Sequence, residues 1–162
     1  MLPTRWRLFR IICLIQMAFA ALEFLSALYS AFAREQHVFF ILQVVSFGCV
    51  FFFANLALEL LNVNYPSTPL DLKQKSQFNW LYAANFFIVS FLLVRFFILI
   101  KSLIVLFQFE QTTSNFLLLL IGPIWQLLFL SFQITLLVGT FKLRRELLRN
   151  FYAEAEQLSS GI

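Results

Sequence analysis

Glu23 and Arg95 lie well inside long apolar stretches of the sequence, away from their ends, where charged side chains are costly. Glu23 belongs to the apolar run from about residue 8 to 32, and Arg95 belongs to the run from about 78 to 107. An acid or a base at the centre of a bilayer costs about 2.5–3.5 kcal/mol on insertion scales, which makes each a functional candidate. We therefore interpret Glu23 and Arg95 as a candidate intramembrane charge pair.

Two interpretations of this pair stay open from the sequence. In the first, the two residues form a proton or substrate site. In the second, it is a buried ion pair that fixes the register of two helices, or Arg95 extends outward past Lys101 to the interface. We favour the structural interpretation, since pairing offsets much of the desolvation cost of both groups.

Polar side chains also recur at helical spacing within the apolar runs. Gln126, Gln133 and Thr140 follow one another at intervals of seven, and a small and polar stripe extends from Cys13 through Glu23 to Ser30. In membrane proteins such stripes face other helices, where interhelical hydrogen bonds contribute about 0.6–2 kcal/mol each. The residues that we predict in the polar core of a bundle are Gln16, Asn55, Asn85, Gln126 and Gln133.

The sequence offers little for catalysis or metal binding. The single histidine, His37, has no companion ligand nearby, and Cys13 and Cys49 form no CxxC pair. Phosphate-binding and hydrolase motifs are missing, and the chain has only four glycines. We therefore predict no catalytic residues, no metal site, no cofactor and no enzyme activity.

Four helices must position these residues. The apolar runs cover about residues 8–32, 38–61, 78–107 and 116–141, and each exceeds the ~20 residues that cross a bilayer. The chain is 61% hydrophobic and 12% charged, whereas soluble domains average about 45–50% and 25%. The predicted fold is an all-α membrane protein, a four-helix transmembrane bundle formed by residues 1–141.

The distribution of basic residues predicts the orientation of this bundle. The loop between the first two runs carries Arg34 beside Glu35, and the last loop carries Glu110. The positive-inside rule therefore predicts that the N-terminus, the middle loop and the C-terminus are cytoplasmic. The basic residues that we predict at the inner interface, beside lipid headgroups, are Arg5, Arg7, Arg10, Lys73, Lys75, Lys142, Arg144, Arg145 and Arg149.

Local signals refine the helices. Thr68-Pro69-Leu70-Asp71 predicts a helix that starts at Pro69 and continues as the third span, and Gly122-Pro123 predicts a kink in the fourth. Residues 142–162 predict an amphipathic cytoplasmic helix that continues from the fourth span, with a basic start that Glu146 and two later acids dilute. A generic topology anchor is favoured there over specific lipid recognition.

Two alternatives concern the ends of the spans. Basic residues followed by an apolar stretch and Ala31-Phe32-Ala33 resemble a cleaved secretory signal, which would leave three spans. The stretch is about 22 residues long and contains Glu23, whereas signal cores have ~7–15 residues, so we favour an uncleaved span. Beyond Lys101, the apolar residues up to Phe109 indicate either a tilted third span or a projecting hairpin, and tilt is favoured.

Three classes of function remain. The favoured one is a small interaction or accessory subunit of a membrane complex, which needs only a stable bundle and lateral surfaces. The alternative is a small oligomeric proton-coupled transporter or channel that uses Glu23 and Arg95. A lipid-active enzyme or sensor ranks last. The expected partners are the lipid bilayer and another membrane protein or a second copy, with no nucleic acid, and small size with short loops favours a bacterial inner membrane.

Overall fold

The computed structural model describes residues 2–33, 37–109 and 116–160, and these ranges contain helices and no strands. The helices are α1 (Thr4–Ala33), α2 (His37–Glu59), α3 (Leu72–Phe109) and α4 (Phe116–Ser160). A π-helical turn, Leu60–Asn64, extends α2 toward the middle loop. Each of the four helices is long and apolar enough to cross a membrane, so the prediction of four such helices is confirmed.

The third helix begins at Leu72, and the predicted start at Pro69 is wrong. The Oδ1 atom of Asp71 accepts a hydrogen bond from the backbone N–H of Gln74 at 2.6 Å, and the Oε1 atom of Gln74 accepts one from the N–H of Asp71 at 3.2 Å. This reciprocal arrangement is a capping box, which satisfies amide donors that have no partner within the first turn. As predicted, α3 carries Lys73 and Lys75 on an extension of the third apolar run.

The fourth helix is a single element of 45 residues that continues through Pro123 and includes most of the predicted tail. At 1.5 Å per residue it is about 67 Å long. Leu143 and Leu147, from the first turns of that tail, are fully buried. Residues 142–160 therefore continue the axis of α4 and pack against the other helices in their first turns, and they do not start a separate surface helix.

The helices pack in a ring in which each contacts its neighbours along the chain, α1 contacts α4, and α2 also touches α4 across the ring. The larger buried cluster lies where α1 begins and α4 leaves the apolar run, with Trp6, Phe53, Phe78 and Leu143 among its members. We call this side of the molecule the basic end, because the N-terminus, the middle loop and the basic segment of α4 meet there. The opposite side is the far end.

Candidate functional site

A chain of buried amide side chains joins the helices halfway along the bundle. Gln16 of α1 donates from Nε2 to Oε1 of Gln133 in α4 at 2.7 Å. Gln133 in turn donates to Oδ1 of Asn85 in α3 at 2.5 Å. Asn85 then donates to the backbone carbonyl of Leu81 at 2.7 Å and, more weakly, to that of Cys49 in α2 at 3.4 Å. We call Gln16, Gln133 and Asn85 the amide network.

The amide network closes the middle of the bundle. All three side chains are fully buried, and in the described residues the Oε1 atom of Gln16 has no hydrogen-bond partner. Phe53 and Leu136 follow Cys49 and Gln133 by about one helical turn toward the basic end, and both are fully buried and apolar. The network thus links four helices by directional bonds, and it does not line a polar passage.

A cavity of about 230 Å³ lies between the amide network and the far end, and we call it the charged cavity. Its polar walls come from all four helices: Glu23, Gln43, Arg95, Trp125 and Gln126. Gln126 precedes Gln133 by seven residues, and Glu23 follows Gln16 by seven, so the cavity is about 10 Å from the network along the helix axes. From Trp6 at the basic end, Glu23 is about 25 Å away along α1.

Within the charged cavity, Glu23 has a partner that the sequence did not predict. The indole Nε1 of Trp125 donates a hydrogen bond to Oε1 of Glu23 at 2.7 Å. Arg95 lines the same cavity, yet among the described residues Glu23 and Arg95 make no ion pair within 4.0 Å. The Oε1 atom of Gln126 is buried there without a partner. The structure therefore places the two charges around one cavity, and their direct pairing stays a prediction.

A second polar cluster lies at the basic end around Glu146, which is 12% exposed. Its carboxylate accepts hydrogen bonds from Arg5 Nη2 at 2.7 Å, Trp6 Nε1 at 3.2 Å and the hydroxyl of Tyr65 at 3.2 Å. These contacts join the start of α1, the middle loop and α4. Burial raises the pKa of Tyr65, and the hydrogen bond to Glu146 and its negative charge raise that pKa further.

Asn55 departs from the predicted polar core. Its side chain is exposed and lines an outer groove with Glu59 and Trp80, whereas Phe53 and Ala54 face the core of the bundle. Apolar side chains cover both faces of α2, so periodicity could not distinguish the face that packs from the face that does not. Gln126 is half-buried and lines the charged cavity, outside the amide network.

The predicted basic residues of α4 divide into two groups. Arg144 points toward α3, where its Nη1 donates a hydrogen bond to Oδ1 of Asn79 at 3.0 Å. Its Cζ lies 4.4 Å from the ring centroid of Phe78. Lys142, Arg145 and Arg149 instead line a groove beside α1. At the N-terminus, Arg5 binds Glu146, Arg7 donates to the carbonyl of Leu2 at 3.0 Å, and Arg10 is exposed.

Comparisons of the chain with protein-family models, curated proteins and solved structures found no match. Within the described ranges, no three His, Cys, Asp or Glu side chains lie close enough together to hold a metal ion. The residues that sequence reasoning missed are Trp125 and Glu146. Trp125 binds Glu23 and Glu146 binds Arg5, and each pair is separated by more than 100 residues in the chain. No local sequence pattern could therefore have predicted either contact.

Proposed function

We propose that the four helices cross a bacterial inner membrane, with both termini and the middle loop in the cytoplasm. The basic end supports this orientation, because Arg5, Lys73 and Lys142 belong to segments that meet there. Asn150 of α4 donates to the carbonyl of Pro66 in the middle loop at 2.9 Å, which ties two of these segments together. Clustered basic residues favour the cytoplasmic side, and small size with short loops favours the bacterial inner membrane.

Within that membrane, we propose that the chain is an interaction subunit that docks a membrane helix of a partner over the charged cavity. The observation that carries the proposal is that Glu23 and Arg95 share a cavity that the chain does not enclose. Trp125, which binds Glu23, is 40% exposed, and Arg95 is exposed as well. Charged groups open to hydrocarbon are costly, so a polar side chain from a neighbouring helix would stabilise both.

Proton-coupled transport is the second candidate, favoured by the same acid and by the unpartnered Oε1 of Gln126. Glu23 could exchange a proton with a substrate that occupies the cavity. The amide network separates the cavity from the basic end, so a transport cycle would have to break the bond between Gln16 and Gln133. A docking function needs no such opening, which is why we rank it first.

Site-specific photocrosslinking tests the docking proposal. A photoreactive amino acid at Leu92 would lie in the wall of the charged cavity, and the same amino acid at Val94 would lie on the exposed face of α3 at almost the same depth. We expect a discrete protein adduct from position 92 and none from position 94. Glu23→Gln and Arg95→Gln should each abolish that adduct, and the mass of the adduct separates a second copy from another protein.

The outcomes separate the two candidates. Equal crosslinking from positions 92 and 94, or adducts that persist in both variants, would contradict docking at this cavity. Reconstituted liposomes with a pH-sensitive dye test transport: proton flux that is lost in Glu23→Gln while the thermal unfolding temperature is unchanged would favour the transporter. An Arg10→Gln variant, which removes an exposed charge outside the cavity, is the matched control for both assays.

A further inference from the structure

A groove of about 590 Å³ lies between the start of α1 and α4 at the basic end. Along α4 it extends from Thr135 to Arg149, fourteen residues or about 21 Å. The part nearest the C-terminus is lined by basic side chains, and the part toward the middle of the bundle is lined by apolar ones. We call the whole the α1/α4 groove.

The basic part of the α1/α4 groove carries positive charge that the protein does not neutralise. Lys142, Arg145 and Arg149 are spaced by three and four residues, so they share one face of α4. All three are exposed, and within the described ranges none makes a hydrogen bond or an ion pair. Glu146, the acid that lines the groove, is already bound by Arg5.

The apolar part continues directly from the basic part. Leu8, Phe9 and Ile12 of α1 form its wall, and Gly139 of α4 lies beside Phe9. A side chain at position 139 would overlap the ring of Phe9, so the ring packs directly against the backbone of α4 at this point of the groove. Leu8 is exposed, which leaves this surface open along the side of the bundle.

We propose that the α1/α4 groove binds one anionic phospholipid. The phosphate group lies among Lys142, Arg145 and Arg149, and an acyl chain follows Leu8 and Ile12 toward the middle of the bundle. A free phosphate would use only the basic half, and a neutral lipid would use only the apolar half. An anionic lipid satisfies both, and the groove lies where the α4 basic segment meets the apolar run, at the level of lipid headgroups.

Lipid titration of the purified full-length chain tests this proposal. Native mass spectrometry in mixed micelles would count phosphatidylglycerol bound per chain, with phosphatidylcholine of the same acyl chains and glycerol 1-phosphate as separate arms. The test variant is Lys142→Gln/Arg145→Gln. Its matched control is Lys73→Gln/Lys75→Gln, which removes the same charge from exposed residues of α3 near the same end but outside the groove.

We expect saturable binding of one phosphatidylglycerol that weakens about 10- to 30-fold in the groove variant, because each basic residue near an anionic lipid contributes about 1 kcal/mol. Binding should change less than threefold in the control. An equal loss in both double variants would show that general charge attracts the lipid, and the proposal would then be wrong. Equal binding of phosphatidylcholine, or of glycerol 1-phosphate, would also overturn it.

Discussion

Replacing Gln133 with leucine should destabilise the bundle, because Gln133 is the central member of the amide network. It accepts the bond from Gln16 at 2.7 Å and donates the bond to Asn85 at 2.5 Å. Leucine has a similar size and fills the space, so the loss is mainly polar. Interhelical hydrogen bonds in membrane proteins average about 0.6 kcal/mol and reach about 1.7, so two lost bonds predict about 1–3 kcal/mol.

The loss should exceed what a surface polar substitution causes, because two buried groups are left without partners. Nε2 of Gln16 and Oδ1 of Asn85 would stay fully buried, and a buried unsatisfied polar atom costs about 1–3 kcal/mol in proteins. Removing the orphaned groups should therefore restore stability. The double variant Gln16→Leu/Gln133→Leu should be less destabilised than the sum of the two single variants.

The assay is reversible unfolding in mixed micelles, followed by helical circular dichroism as the denaturing detergent is increased. Gln126→Leu is the matched control: it is the same substitution, seven residues earlier in α4, at an amide whose Oε1 has no partner in the described structure. Because it removes a buried atom that has no partner, it should not destabilise the bundle and should raise the free energy of unfolding by up to about 1–3 kcal/mol. If Gln133→Leu costs no more than Gln126→Leu, the amide network does not stabilise the bundle as argued.

Two further predictions concern the basic end and the glycines of α4. In the same unfolding assay, Gly139→Ala should lower the free energy of unfolding by about 1–3 kcal/mol, because a Cβ there meets the buried ring of Phe9. Gly122 has open space around it, so Gly122→Ala should be neutral or stabilising by up to about 1 kcal/mol. The raised pKa of Tyr65 means that folding favours the neutral phenol, so its contribution to stability is complete below pH 10 and is lost as pH rises through the folded-state pKa. The phenolate absorbance, taken as the difference between wild type and Tyr65→Phe, should titrate at lower pH in a Glu146→Gln background; an unchanged titration would contradict the contact.

The sequence was informative wherever a single helix decides the outcome. Four apolar runs predicted four helices, and the interval of seven between Gln126 and Gln133 predicted one face of α4. It could not say that Gln133 meets Gln16 and Asn85 while Gln126 lines a cavity, because that depends on the rotation and axial stagger of neighbouring helices. The placement of Asn55 was wrong for a related reason: apolar residues on both faces of α2 remove the contrast on which the interpretation rests.

The start of α3 and the contacts of Glu146 also depend on residues that lie outside the local sequence pattern. Thr68-Pro69 and Asp71 are both adequate starts for a helix by residue type, and the side chain of Gln74 decides between them because it also reaches Asn64 and Glu59 of the preceding segment. Glu146 appeared in the sequence as an acid that dilutes a basic segment. In the structure it binds the N-terminal helix and the middle loop, contacts that no local pattern encodes.

The charged cavity and the α1/α4 groove should act independently, because the amide network lies between them on the same helix. Gln126 and Lys142 are sixteen residues apart, about 24 Å along α4, and Gln133 fixes the rotation of that helix against α1 and α3. Effects of substitutions this far apart, without shared contacts, usually add within about 0.5 kcal/mol. The stability change of Glu23→Gln combined with Lys142→Gln/Arg145→Gln should therefore equal the sum of the separate changes. A coupling energy above about 0.5 kcal/mol between these substitutions, measured with Gln133 intact, would contradict this independence. If Gln133→Leu then removed the coupling, α4 would transmit it between the charged cavity and the α1/α4 groove through the amide network.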